Sequence, residues 1–360
     1  MDRVFYGKQE SAIIAGVAIF LMITHHLFSY PNWLLDPYHV NSIFGNGVNI
    51  FFRVFGRLSN ICIYMFAFTT GYTLCKNTNV YLTFDKRIRR IFQFLISYWT
   101  ICLLFIACAY LFNEPLPTIK QFVANLFGLQ TGFYSKWVNV IFAWYVLFYI
   151  LVILFSPAII RLRNTKSFVD TAVALGVAIL FLCTYKFLDE YWIPIFATLT
   201  GFFTAKYSWF ERFNKGINSK AAIYLCFMAI AILLSVRAFI LVVKGIMPPW
   251  YIVPLQIMEG IISFFFIFYV CKIFQKIDSK LLYFIFGSLG TLSMNLWFLH
   301  SYIFTGNRVL QHIVYHYSEP IAIITLSFII FVPIAILINH ITYRIKNLLN
   351  NILFSAKIQD

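Results

Sequence analysis

Charged residues are scarce in this sequence, at 11% of its 360 residues, against about 25% in soluble domains. No stretch of soluble-domain composition is longer than about 20 residues, which excludes a large soluble domain. The seven cysteines form no C-x-x-C pair and lie mostly inside apolar runs. We therefore expect buried thiols rather than disulfides or zinc ligands, and no metal site.

Hydrophobic residues are correspondingly abundant and make up 61% of the chain. Apolar runs recur at lengths near the roughly 20 residues that cross a bilayer. The sequence predicts an all-α, polytopic integral membrane protein with about ten transmembrane helices around a central site, in a single domain over residues 1–360. The predicted spans are residues 12–30, 58–75, 90–112, 139–159, 168–186, 191–206, 221–242, 251–271, 287–305 and 320–343. No small-residue cleavage site follows the first apolar run, so we expect that run to be retained as a span.

Basic residues are in excess, with a net charge of +15. In the ten-span arrangement, 20 of the 28 Lys and Arg residues fall on one side. The positive-inside rule makes that side, and both termini, cytoplasmic. The charge then faces membrane lipids and anionic cytoplasmic ligands, so no nucleic acid partner is needed to explain it. The many Ile, Phe, Asn and Lys residues fit a protein of the bacterial cytoplasmic (inner) membrane.

Two adjacent histidines, His25 and His26, follow an apolar run in the first span. With a rise of about 1.5 Å per residue, His26 lies roughly 20 Å into the membrane. An ionisable side chain is costly at that depth and indicates function. The alternative is that both histidines cap the helix at the far interface. Because neighbouring residues point about 100° apart, only one of the two can face a helix-lined centre squarely.

A second polar stretch, GTLSMNLWFLHSYIF, lies near the end of the chain and contains Asn295, His300 and Tyr302. His300 is about 15 Å from the cytoplasmic start of its helix. Two helices far apart in sequence thus each bring a histidine into the membrane interior. Arg237 and Glu259 are further intramembrane charges, and an ion pair between them would lower the cost of both. The alternative places Glu259 nearer the outer surface.

Arg87 and Arg90 belong to a basic cluster, DKRIRRI, at the cytoplasmic end of the third span. Being three residues apart, they share a helix face, and two guanidinium groups there suit phosphate. The alternative is ordinary topogenic charge. Trp144 and Tyr145 open the fourth span, either as an interfacial aromatic belt or as a surface on which substrate stacks.

Several motifs in this order resemble the membrane-bound acyltransferase-3 family, whose members acylate, and most often O-acetylate, bacterial sugars, polysaccharides and lipids. The motifs are GVAIFLMITHHLF, FAFTTGY, RIRRI, PIFATLTGFFTAKY and SMNLWFLHSYIF. His26 takes the place of the family's first-helix histidine, and Arg87 and Arg90 match its Arg-x-x-Arg pattern. Ala15 departs from the family, which has a basic residue there, and Thr70 replaces the usual serine.

The resemblance implies an O-acetyltransferase whose co-substrate is acetyl-CoA or another acyl-CoA, without a permanently bound cofactor. The acceptor is expected to be an envelope glycan or a lipid-linked sugar. His26 would be the general base, although a histidine that accepts the acyl group itself remains an alternative. The predicted catalytic residues are His26, His25 and His300, with His25 as an orienting or interfacial neighbour. The predicted cofactor-binding residues are Arg87 and Arg90, and the predicted substrate-binding residues are Tyr72, Trp144, Asn295 and Tyr302, with His300, Asn295 or Tyr72 donating to the oxyanion.

Two other classes of protein remain open at this point. A transporter or flippase for lipid-linked glycans would also have many spans and sparse intramembrane charge, but it is expected to contain internal repeats, and the two halves of this chain show no correspondence. A glycan polymerase or ligase is expected to place a large loop rich in Arg and His outside. The predicted outer loops here are short and weakly charged. The acyltransferase therefore remains the favoured class.

Overall fold

The computed structural model describes residues 5–29, 47–78, 81, 83–129, 144–192, 194–215, 222–244, 252–301, 308–317 and 319–354. This part of the chain forms fifteen α-helices, one short 3-10 helix and no strand, so the predicted all-α class is confirmed. The helices are α1 (Lys8–Ser29), α2 (Gly47–Leu58), α3 (Ile61–Lys76), α4 (Phe84–Leu111), α5 (Ile119–Leu126), α6 (Trp144–Arg161), α7 (Ser167–Trp192), α8 (Ile195–Tyr207), α9 (Trp209–Asn214), α10 (Ala222–Lys244), α11 (Ile252–Ile277), α12 (Lys280–Thr291), α13 (Ser293–Leu299), α14 (Arg308–Val314) and α15 (Pro320–Phe354).

Six segments of the described chain are long and apolar enough to cross a membrane, and α12 with α13 makes a seventh if this broken pair is one span. The six are Lys8–Ser29, Ile50–Lys76, Phe84–Leu111, Tyr145–Asn164, Pro254–Ile277 and Pro320–Leu349. The multi-pass membrane class is thus confirmed, whereas the count of ten spans is not. The other three predicted spans correspond to α7, α8 and α10. Of these, α8 has 13 residues and is only about 20 Å long, short of the ~30 Å hydrocarbon core.

The chain divides into two compact units, each assembled from three separate segments. The first unit consists of Met1–His25, Phe55–Thr83 and Leu154–Thr291, and the second of His26–Val54, Phe84–Ile153 and Leu292–Asp360. Helix α1 supplies residues to both units, and the boundary falls between its two histidines. The single domain over residues 1–360 stays a prediction.

Helix α1 begins at a side-chain cap that its sequence encodes. The N–H of Gly7 donates to Oε2 of Glu10 at 3.0 Å, which is the backward half of a capping box. Beyond this turn the helix is apolar and contains no proline until it ends at Ser29. The cap fixes where the helix starts, and therefore how far along it the histidines lie.

In the first unit, α3, α8 and α11 pack against one another, and the crossing of α3 with α8 depends on two glycines. A Cβ added to Gly71 would lie 1.8 Å from the carbonyl oxygen of Thr198, and one added to Gly201 would lie 2.0 Å from that of Phe68. Any side chain at these positions would force the backbones apart. Gly71 is therefore a point of close helix packing on α3.

Near the end of α8 in the first unit, Lys206 contacts the turn between α6 and α7 and a carboxylate of α7. Its Nζ donates to the carbonyl oxygens of Leu162 at 2.6 Å and Thr165 at 2.9 Å, and to Oδ2 of Asp170 at 2.5 Å. The hydroxyl of Tyr207 donates to the same carboxylate. The lysine ties the turn between α6 and α7 to α8, which indicates a structural function for this charge.

In the second unit, α4, α13 and α15 pack together, with Phe298 of α13 at the centre. Its ring centroid lies 4.9 Å from that of Tyr98 and 5.9 Å from that of Phe94, both on α4. The hydroxyl of Tyr98 donates to the carbonyl oxygen of Asn125 at 2.7 Å. Stacked and edge-on aromatic pairs of this kind add about 0.5–1.5 kcal/mol beyond the burial of their area.

Candidate active site

The structure brings together the two histidines that sequence analysis placed on separate helices. In the second unit, Nε2 of His300 lies 3.1 Å from Nδ1 of His26, and the ring centroids are 4.7 Å apart. His300 is fully buried and His26 is 7% exposed. His300 is the C-terminal cap of α13, so this short helix fixes the position of the His300 ring beside that of His26.

The hydrogen-bond partners of His300 set the proton positions in a neutral pair. Its Nδ1 lies 3.3 Å from the carbonyl oxygen of Leu296. A carbonyl oxygen can only accept, so Nδ1 of His300 carries the proton and its Nε2 carries a lone pair. The bond between the rings then runs from Nδ1–H of His26 to Nε2 of His300. This leaves Nε2 of His26 with a lone pair, the form that accepts a proton.

A tyrosine that sequence analysis did not single out holds the chain beside His26. The hydroxyl of Tyr315 donates to the carbonyl oxygen of Leu27 at 2.9 Å, and both groups are buried in the second unit. No sequence signal separates this residue from the other 21 tyrosines, because its partner is a backbone atom. The bond secures the end of α1 on which His26 lies.

The neighbouring His25 belongs to the first unit and has a different kind of partner. Its Nδ1 lies 2.8 Å from the carbonyl oxygen of Gly56 in α2, and the side chain is 4% exposed. A backbone carbonyl oxygen can only accept a hydrogen bond, so Nδ1 of His25 is the nitrogen that carries the proton. The contact fits the predicted orienting neighbour, a role that stays a prediction.

The intramembrane ion pair considered in the sequence is present in the first unit. Nε of Arg237 donates to Oε2 of Glu259 at 2.9 Å, and the side chains are 0% and 4% exposed. Nη1 of Arg237 also donates to the carbonyl oxygens of Arg57, at 3.4 Å, and Leu58. These carbonyls lie at the C-terminus of α2, where a cation is favourable. Both charged side chains are thus buried inside the protein.

Arg87 and Arg90 lie on the first two turns of α4 in the second unit, and both are partly exposed. Nε of Arg90 donates to the hydroxyl of Tyr149 at 3.1 Å. The Tyr149 ring stacks on Phe94, one turn after Arg90, with centroids 4.2 Å apart and planes 26° apart. Tyr149 was missed in the sequence, where it lies within an apolar run of similar aromatic residues.

Aromatic contacts continue from this arginine toward the histidine pair within the second unit. Phe94 contacts Phe298, as described above, and the next residue along α13 toward the N-terminus is Trp297. The Trp297 ring is edge-on to His300, with centroids 6.5 Å apart, and its other neighbour Tyr145 lies 5.0 Å away. Consecutive residues of α13 thus contact two groups of rings, Phe298 the group beside Arg90 and Trp297 the ring of His300.

The predicted substrate residues fall in different places. Asn295 lies on α13 and is 3% exposed, and its Nδ2 is 3.4 Å from the carbonyl oxygen of Ala335 on α15. Tyr72 belongs to the first unit, where its buried hydroxyl has no partner among the described residues and its ring lies 4.7 Å from that of Tyr6. The side chain of Trp144 and the whole of Tyr302 lie outside the described residues.

No group of three His, Cys, Asp or Glu side chains in the described ranges is placed to hold a metal ion. The expectation that the protein has no metal site stays a prediction from the sequence. The chemistry that this site offers with its own residues is proton transfer through a pair of imidazoles, with guanidinium groups in the same unit.

The fold and the site define an all-helical, multi-pass membrane protein with a buried histidine pair. The model of the acyltransferase-3 family, described as an acyltransferase domain, matches residues 14–340. The chain belongs to this family, and it is a membrane acyltransferase. No curated protein and no solved structure matches the chain.

Proposed function

We propose that the protein transfers an acetyl group from cytoplasmic acetyl-CoA to a hydroxyl group of a cell-envelope sugar or polysaccharide. The observation that carries this proposal is the contact between Nδ1 of His26 and Nε2 of His300 at 3.1 Å. Two buried imidazoles in contact provide a base whose tautomer is fixed before substrate binds. Such preorganisation is what general base catalysis needs.

In the proposed reaction, Nε2 of His26 takes the proton of the acceptor hydroxyl while the oxygen of that hydroxyl attacks the thioester carbonyl. His300 stabilises the imidazolium that forms, because its Nε2 accepts the hydrogen bond from Nδ1–H of His26. The tetrahedral intermediate then collapses, the C–S bond breaks, and the proton on His26 passes to the CoA thiolate. The products are an acetyl ester and CoA, and both imidazoles return to their neutral forms.

The oxyanion of the intermediate needs a hydrogen-bond donor, and the sequence offered three. In the tautomers derived above, Nε2 of His300 is an acceptor, so His300 does not fill that role in the neutral pair. Nδ2 of Asn295, which lies in the same unit as both histidines, remains the proposed donor, and the role of Tyr72, in the first unit, stays a prediction. Removing one such donor from an acyl-transfer site costs about 10²–10³ in kcat.

For the acyl donor, the proposal places the CoA phosphates on Arg87 and Arg90. Charge-assisted bonds from guanidinium groups to phosphate are among the stronger hydrogen bonds in proteins. The contact of Phe94 with Phe298 and that of Trp297 with His300 lie in the same unit, and they support a pantetheine arm that passes beside these rings, since packed rings exclude water from a reactive thioester.

The proposed location is the bacterial cytoplasmic membrane, with both termini and the arginines facing the cytoplasm. This follows from the distribution of Lys and Arg by the positive-inside rule. A reporter fused after Lys215 is expected to report the cytoplasmic side, and one placed near Tyr38 the outer side. A reporter that places residue 215 outside contradicts the arrangement.

The function itself is tested with purified protein, radiolabelled acetyl-CoA and envelope glycan from the host. We expect an alkali-labile acetyl ester on the glycan and one equivalent of free CoA per ester. His26→Ala serves as the inactive control. Loss of an ester from surface glycans on gene deletion would identify the acceptor. Preparations that bind glycan but never transfer acetyl groups would contradict acetyl-CoA as the donor or this glycan as the acceptor.

The same assay separates the two possible chemistries. If the acyl group passes directly to the acceptor, rapid quenching leaves no label on the protein. If a histidine accepts the acetyl group first, label appears on the protein when acceptor is omitted, and it disappears when acceptor is added.

A further inference from the structure

Arg90 has a neutral partner whose position is itself fixed. Nε–H of Arg90 donates to the Tyr149 hydroxyl at 3.1 Å, a normal length for this bond. Tyr149 lies on α6 and Arg90 on α4, 59 residues apart. The bond therefore depends on the packing of two helices in the second unit, which local sequence does not encode.

The Tyr149 ring is held by its stack on Phe94, with centroids 4.2 Å apart. Phe94 lies four residues after Arg90 on α4, so the two share a helix face. Phe94 in turn packs edge-on against Phe298. The hydroxyl that receives the arginine is thus carried by a partly buried ring whose position is set by its stack on Phe94.

A bond at Nε orients the whole guanidinium group. The group is planar and rigid, so fixing the Nε–H direction also fixes the plane in which the Nη donors point. An arginine side chain loses much rotamer entropy when it is fixed, and ordering it beforehand lowers the cost of binding. A phenol hydroxyl takes the N–H without bringing a negative charge, so this bond leaves the attraction to phosphate intact.

We propose that Tyr149 is a positioning residue of the acyl-donor site, holding the Arg90 guanidinium in the orientation that receives a phosphate of acyl-CoA. The proposal rests on the proposed function and goes beyond it, since it assigns a specific role to a residue outside the family motifs quoted above. Tyr149 does not touch the reacting atoms in this role. It acts only through Arg90.

The test is Tyr149→Phe, which removes the hydroxyl and keeps the ring stacked on Phe94. We expect KM for acetyl-CoA to rise about three- to tenfold, the size of one hydrogen bond, while kcat and KM for the glycan stay unchanged. The matched control is Tyr110→Phe, which removes the hydroxyl of a 72% exposed tyrosine on α4 and should leave all three constants unchanged. A purely structural role would lower the yield of active protein without this split.

A double-mutant cycle tests whether Tyr149 acts through Arg90. In the Arg90→Ala background, Tyr149→Phe is expected to give no further rise in KM for acetyl-CoA. An unchanged KM in the single Tyr149→Phe variant, or an equal further rise in the Arg90→Ala background, overturns the proposal. If Tyr149→Phe is not recovered folded, Phe94→Leu takes its place, and an unchanged KM in that variant overturns the proposal equally.

The outcomes also separate this inference from the proposed function. If Arg90→Ala raises KM for acetyl-CoA and Tyr149→Phe does not, the inference fails and the donor site stands. If neither Arg87→Ala nor Arg90→Ala changes KM for acetyl-CoA, the proposed donor site is wrong and the inference about Tyr149 is wrong with it.

Discussion

A buried ion pair in the first unit and a buried imidazole pair in the second differ in charge and in partners. In the first unit, Arg237 and Glu259 form an ion pair that also caps the carbonyl end of α2. In the second unit, His26 and His300 form a hydrogen bond between two imidazoles. The ion pair holds its helices together through the contacts of Arg237 with Glu259 and with the carbonyls of α2. An imidazole pair, in contrast, can gain and lose a proton. We therefore expect the first pair to contribute to stability and the second to the chemistry.

The energetics of burial lead to the same distinction. Breaking a buried ion pair by removing one partner leaves an uncompensated charge, which is far more costly than replacing both. Removing one of two neutral imidazoles leaves only an unsatisfied hydrogen-bonding group, which costs about 1–3 kcal/mol. Substitutions should therefore act on activity at one pair and on stability at the other.

The sharpest separation is expected from His26→Ala. Because the proposed base is lost, kcat should fall by about 10²–10⁴ while the protein still inserts and melts near the wild-type temperature. Acetyl transfer at matched expression is the measurement. His25→Ala is the control, and measurable activity is expected to remain because His25 contacts the carbonyl of Gly56 instead. Swapped results for the two variants would contradict the assignment of the base.

The ion pair is broken by Glu259→Leu. This leaves Arg237 buried without its carboxylate and should lower stability by about 3–5 kcal/mol, seen as a lower midpoint of thermal unfolding in detergent. The double variant Arg237→Met with Glu259→Leu should recover much of the loss. Recovery will be incomplete, because the carbonyls of Arg57 and Leu58 also lose a donor. A single variant that melts like the wild type would show that the pair is not a stability element.

A smaller effect, confined to the acyl donor, is expected from Arg90→Ala. Loss of a charge-assisted phosphate contact of about 1.5–3 kcal/mol raises KM for acetyl-CoA roughly 10- to 100-fold. Thermal stability and kcat should change little, in contrast to both buried pairs. Arg87→Ala should behave alike. Wild-type affinity for acetyl-CoA in both variants would reduce the basic cluster to topogenic charge.

The smallest effect tests whether nearness to His26 is enough to affect catalysis. Tyr315→Phe removes only the bond to the carbonyl oxygen of Leu27, so stability should fall by about 1 kcal/mol. Because the substitution touches no imidazole, kcat should stay within about twofold of wild type. Acetyl transfer and thermal unfolding are measured together. A loss of kcat as large as that of His26→Ala would mean that any disturbance of the end of α1 stops the reaction.

The helices and their residues were largely predictable, whereas their pairing was not. The all-α membrane class and six of the predicted spans, or seven if α12 and α13 form one span, follow from local hydrophobicity, which needs no tertiary information. Helix α8 was predicted as a span but has only 13 residues, because an apolar run marks burial and cannot distinguish a spanning helix from a shorter one packed on α3. The prediction at Tyr302 and at the side chain of Trp144 lies outside the described residues.

At the histidines, the sequence alone predicted that two ionisable rings lie well inside the membrane, since depth is expected to follow from position along an apolar helix. It also determined the family, through motifs spread over the chain. Only the tertiary structure decided that His26 meets His300, 274 residues away, that Arg237 caps α2, and that Tyr149 holds Arg90. These contacts depend on how helices rotate and cross, and several of the partners are backbone carbonyls, which every residue carries and no sequence distinguishes.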